Sequence, residues 1–377
     1  MVIEILSMLA LAFVAVSVSA QVISIITSIG ATQRRVWSPR KIAEPGVSVV
    51  RIVCGIENNI EKTLATTFSY AYKNYEIIFC VASPSDPVIP VLEKLIEKHP
   101  DIPAKILIGD DHISGNPKLN NLAKGWEAAK NDWILLVDSN VLLPADYILQ
   151  LLARWTPGTG LVTSPPAGVN PDGFWARLEC AFLNTYQGRW QLAADWFDGG
   201  FAQGKILFWR RDILENAGGV RVLGREMAED VASTKVVRAA GLKVRVIGNL
   251  FPQPLGERDF SEVWKRQMRW SRIRRKGFIQ YFLPEILSGS VPAMAALLWL
   301  TIVGWVPLIA IPAVFALWYS LEHLLARVAG WPHGYKDFAA ELLRDLLLPA
   351  LWMTAWVGRG FEWRGNTVTS EKTELRG

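Results

Sequence analysis

The stretch from Ile5 to Gln33 contains no charged side chain, and no other feature of the sequence constrains the fold as much. A helix needs roughly 20 mostly apolar residues to cross a bilayer, so this stretch is long enough to span one. A cleavable signal peptide is the competing interpretation, because "VSVSA" resembles a cleavage site. However, the preceding residues include Glu4 and no basic side chain, and the apolar run continues through Ile26. We predict that residues 1–33 form a retained transmembrane anchor.

Two further apolar stretches lie near the carboxyl terminus. The first runs from Ile286 to Ser320 without a charge and is interrupted by prolines, so a kinked span and a re-entrant pair both fit it. We interpret it as one pass. The second, Leu346 to Val357, is too short to span alone and must recruit three charged residues at its edge: Glu341, Arg344 and Asp345. Residues 286–358 are therefore predicted to hold about two spans, and residues 359–377 a cytoplasmic tail. The last dozen residues of that tail, 366–377, are polar and predicted to be loose.

The distribution of basic residues predicts the orientation of these segments. One cationic group follows the first apolar segment and another precedes the second: Arg34, Arg35, Arg40 and Lys41, then Arg272, Arg274, Arg275 and Lys276. Because positive residues favour the cytoplasmic side, everything between should be cytoplasmic in a multi-pass protein of the cell inner membrane. The net charge of +5 indicates adhesion to anionic lipid. Nucleic acid is the weaker alternative, since no nucleic-acid motif or aromatic binding platform occurs.

Residues 45–258 alternate short β-rich runs with helical patterns. The runs are typical of buried strands: "VSVVRIVCG", "YEIIFCVA", "AKILIG", "DWILLVDSN", "GLVTSPP", "GKILFWRR" and "LKVRVIGNL". Helical patterns separate most of them, over residues 59–70, 87–98, 118–130, 146–155, 174–190 and 231–240. This alternation predicts an α/β domain with a largely parallel sheet. Neither GxxxxGK[ST] nor GxGxxG occurs, so P-loop and Rossmann cofactor sites lack support.

The "DSN" after "WILLV" is a candidate cation site. Asp138 stands where a strand ends, and ligands of open α/β sheets bind beyond the carboxyl ends of the strands. Its carboxylate and the amide oxygen of Asn140 suit a hard cation such as Mg²⁺ or Mn²⁺. Asp-Ser-Asn is also good turn chemistry by itself, and that alternative stays open.

In "AEDV", Glu229 and Asp230 stand side by side before a helical segment. One of them could simply cap that helix. The functional interpretation is a general base, which needs partial burial so that its pKa rises toward the working pH.

Residues 259–285 read as an amphipathic interfacial region. If the segment from Asp259 to Phe278 is helical, two faces follow from the spacing: Arg266, Arg269, Trp270 and Ile273 on one, Lys265, Arg272 and Lys276 on the other. The first face could clamp a phosphate with arginine. The second could lie on lipid headgroups. A purely interfacial helix is the simpler alternative.

"GNPKLNNLAKG", from Gly115 to Gly125, brings a Pro and a Lys into the start of a helix and carries two adjacent Asn residues. It could present hydrogen-bond donors to a diphosphate, and an ordinary capped helix start explains it equally well.

Taken together, the ordered series "FCVASPSDP", "GNPKLNNL", "DSN", "AED" and "RQMRW", flanked by membrane segments, resembles the ceramide glucosyltransferase family of lipid glycosyltransferases. The resemblance covers roughly Val47 to Trp270. A weaker similarity in "RDLLLP" and "EWRG" looks like bacterial members, including hopanoid-pathway relatives.

The resemblance implies a GT-A fold, a UDP-hexose donor, a lipid acceptor, a divalent cation (Mg²⁺ or Mn²⁺) and inversion at the anomeric carbon. By position, Asp138 would lie at the diphosphate and the metal, and Asp230 would be the base, with Glu229 beside it. The remaining matches are implied to contact the donor or to close over the donor and the acceptor channel: Asn116, Lys118 and Asn121 for the donor, Arg266, Arg269 and Trp270 for the closure.

Two departures from the family pattern carry expectations of their own. Ser83 stands where the family usually has its first Asp, and Asp86 follows three positions later, which predicts a shifted or weakened contact to uracil. Asn140 stands where many relatives carry a second carboxylate, which predicts weaker metal binding. The favoured function is transfer of a hexose from a UDP-sugar to the hydroxyl of a membrane lipid, with ceramide, diacylglycerol and hopanoid all open as the acceptor. The alternative enzyme is a processive diacylglycerol or hopanoid glycosyltransferase. The rivals are a polysaccharide synthase, disfavoured by the small number of spans, and a catalytically silent sugar-nucleotide or lipid binder.

Overall fold

A computed structural model describes residues 1–34 and 44–357, and the backbone of residues 360–363 and 366–369. Three of the cations used to predict the orientation therefore lie outside the described residues: Arg35, Arg40 and Lys41. The chain forms two units, which are described separately. The sheet unit comprises residues 34–170, 194–256 and 359–377, and the helical unit comprises residues 1–33, 171–193 and 257–358.

The described strands, in chain order, are β1 (Val47–Val53), β2 (Tyr75–Val81), β3 (Ala104–Ile108), β4 (Trp133–Asp138), β5 (Thr159–Thr163), β6 (Ala167–Asp172), β7 (Ile206–Arg210), β8 (Lys243–Val246), β9 (Pro252–Glu257), β10 (Gly360–Trp363) and β11 (Asn366–Thr369). All seven strands predicted from the sequence are present, and together they form one sheet of order β3-β2-β1-β4-β7-β5-β8. Its pairs are parallel except where β7 runs antiparallel to β4 and to β5. The α/β class is confirmed, and the sheet is mixed rather than wholly parallel.

The sheet is buried on both faces, as its near-continuous apolar strands require. Successive side chains of a strand point to opposite faces. Accordingly, Val49 and Leu135 belong to one hydrophobic cluster, while their neighbours Val50 and Leu136 belong to another. With both faces occupied by core, even the charged side chain of Arg51, inside β1, is fully buried.

The described helices are α1 (Val2–Gln33), α2 (Ile60–Ala65), α3 (Ile89–Lys98), α4 (Pro117–Ala128), α5 (Tyr147–Arg154), α6 (Gly173–Ala181), α7 (Arg189–Trp196), α8 (Arg211–Asn216), α9 (Glu229–Ala239), α10 (Phe260–Gly277), α11 (Ile279–Phe282), α12 (Ser290–Ile302), α13 (Ala310–Ala329) and α14 (Tyr335–Ala355). A π-helical segment, Phe182–Gly188, joins α6 to α7, so the helix predicted over residues 174–190 is longer and wider than expected. The helix predicted over residues 59–70 is shorter, because it ends at Ala65.

Among the described residues, α1 is the one helix that is long and apolar enough to cross a membrane alone. The pair formed by residues 279–287 and α12, bent by 46°, passes the same test only when taken together. The stretch from Ile286 to Ser320 is thus divided between helices, and the final stretch forms the second half of α14. The two carboxy-terminal spans stay a prediction.

The tail differs from the prediction of a loose segment. Strands β10 and β11 pair antiparallel, with Gly360 opposite Thr369. The prediction of a loose tail is therefore wrong for residues 366–369, where a hairpin satisfies backbone groups on both strands. The remainder of that segment, residues 370–377, lies outside the described residues.

Candidate functional site

The polar residues of the sheet unit converge at the carboxyl end of β4. We define the Asp138 cluster as Asn116, Lys118, Asp138, Asn140, Gly204, Lys205, Glu229 and Asp230. Asp138 is the last residue of β4, and its two carboxylate oxygens accept from two ammonium groups. Lys118 Nζ lies 2.6 Å from Oδ1, and Lys205 Nζ lies 2.8 Å from Oδ2. Burial alone would raise the pKa of Asp138, but these two cations hold it well below its usual range.

Lys118 links four parts of the sheet unit. Its ammonium donates to Asp138, to Glu229 Oε1 at 2.7 Å and to the carbonyl of Gly204 at 2.5 Å. An ammonium has three N–H donors, so these partners use all of them. Burial opposes its charge, but the two carboxylates raise the pKa of Lys118 above its ordinary value. Lys118 is therefore a permanent positive charge at the centre of the cluster.

The structure distinguishes the adjacent carboxylates Glu229 and Asp230. Glu229 is 5% exposed, and its two oxygens accept from Lys118 and from Asn116 Nδ2 at 2.9 Å. Asp230 is partly exposed and accepts only backbone N–H groups, from Gly204 at 3.0 Å and Val231 at 2.8 Å. Burial and then the charge of Glu229 raise the pKa of Asp230 to about 6. Glu229 holds its neighbours in place, whereas Asp230 has the access and the pKa that a general base needs.

A simple helix cap was the alternative for both "AEDV" and "GNPKLNNLAKG", and the structure shows such a cap only at the second motif. The cap position of α9 is held by Ala228, and both acidic residues lie in the first turn after it. At α4, the Asn116 side chain does cap the helix, because its oxygen accepts from the backbone N–H groups of Lys118 and Leu119. Asn116 therefore combines capping with its bond to Glu229.

Two predicted donor-binding residues lie at the carboxyl ends of neighbouring strands but are engaged in other bonds. Asn121 Nδ2 donates to the carbonyls of Val53 and Cys80, where β1 and β2 end. The carboxylate of Asp86 accepts from the backbone N–H of Gly55 at 2.9 Å. Both residues join the loops at this edge of the sheet. Their contact with a donor, and the shift from Ser83 to Asp86, stay predictions.

Three residues of this region were not predicted from the sequence. Lys205 precedes β7, and its Nζ also donates to Asn140 Oδ1 at 2.9 Å. Gly204 donates its N–H to Asp230, and a Cβ at this position would lie 2.6 Å from Glu229 Oε1, so a side chain here would displace that carboxylate. Arg51 lies within β1, fully buried, and donates to the carbonyls of Ser139 and Val141, beneath the loop after Asp138. A charge inside the apolar run "VSVVRIVCG" was the available signal for Arg51.

The residues present do not fit the expected divalent cation. Such an ion needs several oxygen ligands at about 2.0 to 2.6 Å. The side-chain oxygens of Asp138 and Asn140 all accept from lysine ammoniums instead. Within the described part of the chain, no group of three or more His, Cys, Asp or Glu residues is arranged to hold a metal.

Arg266, Arg269 and Trp270 belong to the helical unit. They lie on α10, which begins with a capping box between Asp259 and Glu262. Arg266 forms an ion pair with the buried Glu179 of α6. Arg269 and Trp270 are partly exposed. The predicted helix is present as α10. That Arg266, Arg269 and Trp270 share one cavity with Asp230 stays a prediction.

The second face of α10 is only partly as expected. Lys265 and Lys276 are exposed, which suits contact with lipid headgroups. Arg272 instead donates to the carbonyl of Val357 at 2.8 Å, within the helical unit. Contact of this face with a membrane stays a prediction.

A solved structure shares the fold of this chain. The mannosyltransferase from Pyrobaculum calidifontis, in complex with GDP-Man and Mn²⁺, superposes with a TM-score of 0.52 at 16% identity and covers 90% of this chain and 99% of its own. At this identity the likeness concerns the fold alone. The α/β sheet is thus one that a known sugar transferase also uses.

Sequence comparison gives the family. Ceramide glucosyltransferase 3 of Caenorhabditis elegans is 26% identical over 334 residues, 85% of this chain and 72% of the relative. Ceramide glucosyltransferase 1 of the same organism is 29% identical over 232 residues, and the match spans only half of that relative's length. The model of glycosyl transferase family 21 matches residues 9–374. The resemblance drawn from the motifs is confirmed, and the chain belongs to glycosyl transferase family 21.

Proposed function

We propose that this chain is a membrane-bound inverting glycosyltransferase that moves a hexose from a UDP-sugar to the hydroxyl group of a membrane lipid. Asp230 is the observation that carries the proposal: a partly exposed carboxylate with its pKa raised to about 6, beside a permanently charged lysine and Asp138. A carboxyl group whose pKa is raised toward neutral pH, at the carboxyl edge of an α/β sheet, is suited to act as a general base.

The relatives indicate the substrate class. The curated relatives are named ceramide glucosyltransferases, which supports ceramide as the acceptor and a glucosyl donor. Diacylglycerol and hopanoid remain the alternative acceptors, since each also presents a hydroxyl group at headgroup depth. The apolar helix α1 supports attachment to a membrane, and we place the catalytic residues on the cytoplasmic side of an inner membrane.

The reaction follows from the chemistry of Asp230. Its carboxylate accepts the proton of the lipid hydroxyl while the hydroxyl oxygen bonds to the anomeric carbon of the donor. The bond between that carbon and the diphosphate oxygen breaks, and its electron pair leaves with UDP. Because attack and departure occur on opposite faces of the sugar, the configuration inverts. Positive groups near the departing diphosphate stabilise the charge that develops there.

The other residues of the cluster position this base. Gly204 donates its N–H to one oxygen of Asp230, and its carbonyl accepts from Lys118. Glu229 holds Lys118 and Asn116 at fixed distances and is therefore a positioning residue. We assign Arg266, Arg269 and Trp270 to closure over the donor and the acceptor, as the family resemblance implies.

The test is transfer from radiolabelled UDP-hexose to mixed lipids by the purified protein, with Mg²⁺ and separately with EDTA. Asp230→Asn should lower turnover by about 10² to 10⁴-fold, because the amide cannot accept the proton. Asp198→Asn is the matched control, since Asp198 is a half-exposed carboxylate paired with Lys243 and Arg245 on the surface. Full activity of Asp230→Asn would contradict the role of the base. If the wild-type protein forms no product with any donor, the chain is a silent binder.

A further inference from the structure

The oxygens expected to bind a divalent cation are bridged by one lysine. Lys205 Nζ donates to Asp138 Oδ2 at 2.8 Å and to Asn140 Oδ1 at 2.9 Å. Asp138 is the last residue of β4, and Asn140 lies two residues beyond it at the carboxyl edge of the sheet. A cation bridging a carboxylate and an amide oxygen is the arrangement expected of a metal, and here an ammonium supplies it.

The strand register explains why Lys205 stands at this point. Strand β7 runs antiparallel to β4, and Val137 pairs with Ile206. The next backbone bond runs from the N–H of Asp138 to the carbonyl of Lys205, at 3.1 Å. Lys205 is thus the cross-strand neighbour of Asp138, and directly opposed side chains of neighbouring strands meet on one face. The position of the ammonium is built into the sheet.

The two lysines of the cluster differ in the acceptors that their ammonium groups bind. Lys118 donates to three acceptors and is 10% exposed, so all three of its N–H groups bind residues of the cluster. The bonds of Lys205 to Asp138 and Asn140 are those that a metal would make, and its side chain is 14% exposed. Lys205 is thus the lysine whose bonds coincide with those expected of the metal.

Electrostatics oppose a second cation at the same oxygens. A divalent ion within bonding distance of Asp138 Oδ2 and Asn140 Oδ1 would lie within a few ångströms of the Lys205 ammonium. At such separations two cations repel each other strongly, even with screening by the protein. The ion could bind only after displacing the lysine.

We propose that the Lys205 ammonium takes the place of the divalent cation, so that the chain binds the donor diphosphate and transfers the sugar without a bound metal. The inference rests on the proposed function, since it assigns the group that faces the departing diphosphate. Lys205 bridges the diphosphate oxygens to Asp138 as a metal would, and it donates hydrogen bonds as negative charge develops on them.

The decisive measurement is Mn²⁺ binding to the full-length protein in lipid nanodiscs, followed by the electron paramagnetic resonance signal of free Mn²⁺, with and without UDP. We expect no saturable binding to the wild-type protein at millimolar Mn²⁺. Lys205→Met should create a saturable site, because it frees Asp138 Oδ2 and Asn140 Oδ1 while keeping the approximate length of the side chain. Stoichiometric binding to the wild-type protein would overturn the inference, whether or not any donor is turned over.

Measurements of turnover in EDTA and in Mn²⁺ provide a second test. Wild-type activity should be unchanged by EDTA, and Lys205→Met should lose about 10²-fold in EDTA, as expected when one group facing a developing anion is removed. Added Mn²⁺ should restore part of that loss. Lys243→Met is the matched control, because Lys243 also stands at the start of a strand and pairs with an aspartate, Asp198, at 2.7 Å. Loss of wild-type activity in EDTA with recovery in Mn²⁺ would refute metal-free transfer.

The Mn²⁺ titration and the turnover measurements distinguish a failure of this inference from a failure of the proposed function. Absence of product with every donor would refute the proposed function, while the Mn²⁺ titration would still decide the cation. Lys205→Arg should resemble the wild-type protein in its lack of Mn²⁺ binding, because it keeps the positive charge. A saturable Mn²⁺ site in Lys205→Arg would show that the charge is not what excludes the metal.

Discussion

Each unit of this protein buries a group of ionised side chains, and the two groups are built differently. In the helical unit, Arg344 is 1% exposed and donates to Glu322, Asp345 and Thr185. Arg189 adds a second cation beside Glu322, which is fully buried. Every charge there has charged partners, and no side chain of the group is accessible. We call these residues the Arg344 cluster.

The Asp138 cluster of the sheet unit is more open. Four of its charged side chains are 7 to 20% exposed: Lys118, Asp138, Lys205 and Glu229. Its cations are lysines, and Asp230 accepts from the backbone N–H groups of Gly204 and Val231. A sealed arginine network contributes to the specificity of packing, because an ion pair without its partner is costly inside a protein. An accessible lysine network retains groups that can meet a substrate. From this difference we expect the Arg344 cluster to stabilise the fold and the Asp138 cluster to take part in the proposed chemistry.

The largest effect should follow from breaking the sealed cluster. Arg344→Leu would leave Glu322 and Asp345 buried without their main partner, and we expect a loss of about 3 to 5 kcal/mol in the free energy of unfolding. Denaturation in nanodiscs, followed by the emission of the many tryptophans, would measure it. Arg327→Leu, on an exposed position of α13, is the control and should change the free energy by less than about 0.5 kcal/mol. Equal stability of the two variants would mean that the Arg344 cluster is not structural.

The next effect concerns activity at the open cluster. Gly204→Ala places a Cβ 2.6 Å from Glu229 Oε1 and 3.2 Å from Lys118 Nζ, so these side chains must move. Because displacement of about 1 Å at a reacting site can cost 10²-fold, we expect turnover to fall by about that factor. Gly334→Ala is the control, since its Cβ would meet its nearest atom, Asp337 Oδ2, at 3.4 Å. Unchanged turnover in Gly204→Ala would show that the cluster need not be held so closely.

Arg51 lies in the sheet unit but is as completely buried as Arg344 of the helical unit. Burial lowers the pKa of Arg51 to about 9, against the opposing effects of Tyr147 and Asp138. Arg51→Met would leave the carbonyls of Ser139 and Val141 without this donor, which should cost about 1 to 3 kcal/mol in unfolding free energy. Arg210→Met, at a side chain that is 47% exposed, serves as the control. A stable Arg51→Met protein would place the support of the Asp138 loop elsewhere.

The smallest effect is the pH dependence of turnover. With its pKa at about 6, Asp230 is ionised above that pH, so kcat/KM should be level near pH 7 to 8 and about tenfold lower at pH 5. Asp138 contributes no inflection in this range, because its lysine partners keep its pKa well below the ordinary value. A profile that is flat from pH 5 to 8 would exclude Asp230 as the base.

The same pKa has a consequence for stability. The folded-state pKa of Asp230 lies above its ordinary value of 3.8, so folding favours the protonated form. The contribution of this residue to stability is therefore fullest below pH 4 and is lost as the pH rises through 6. At pH 8 the ionised carboxylate costs roughly 3 kcal/mol at most, from about 1.4 kcal/mol per pKa unit. Asp230→Asn should accordingly unfold no earlier than the wild-type protein at pH 8, although it is inactive.

Much of the site was predictable because its residues are marked by their place in local patterns. Asp138 ends an apolar run, Asn116 and Lys118 begin a helix, and Glu229 with Asp230 begins another. The structure brings these separate motifs within hydrogen-bonding distance of one another. The family resemblance implies that Asp230 rather than Glu229 is the base, but the residues alone do not distinguish the two, because adjacent carboxylates look alike until their partners are known.

Lys205 shows where the pattern is insufficient. The run "GKILFWRR" was predicted as a strand, and β7 confirms it. Its direction, however, is opposite to that of β4, and a period-2 pattern is the same in either direction. A parallel β7 would have carried Lys205 to the other edge of the sheet, away from Asp138.

By itself, the sequence determined the elements of this protein: the apolar helix α1, the seven strands of the sheet and the charged motifs at their ends. These depend on the periodicity of apolar residues and on local capping, which act over a few neighbouring residues. Only the tertiary structure decided that Lys205 faces Asp138, that a side chain at Gly204 would displace Glu229 and that Arg51 supports the loop. Those relations join residues far apart in the chain, and they arise from strand order and direction, which are set by how the sheet buries both its faces.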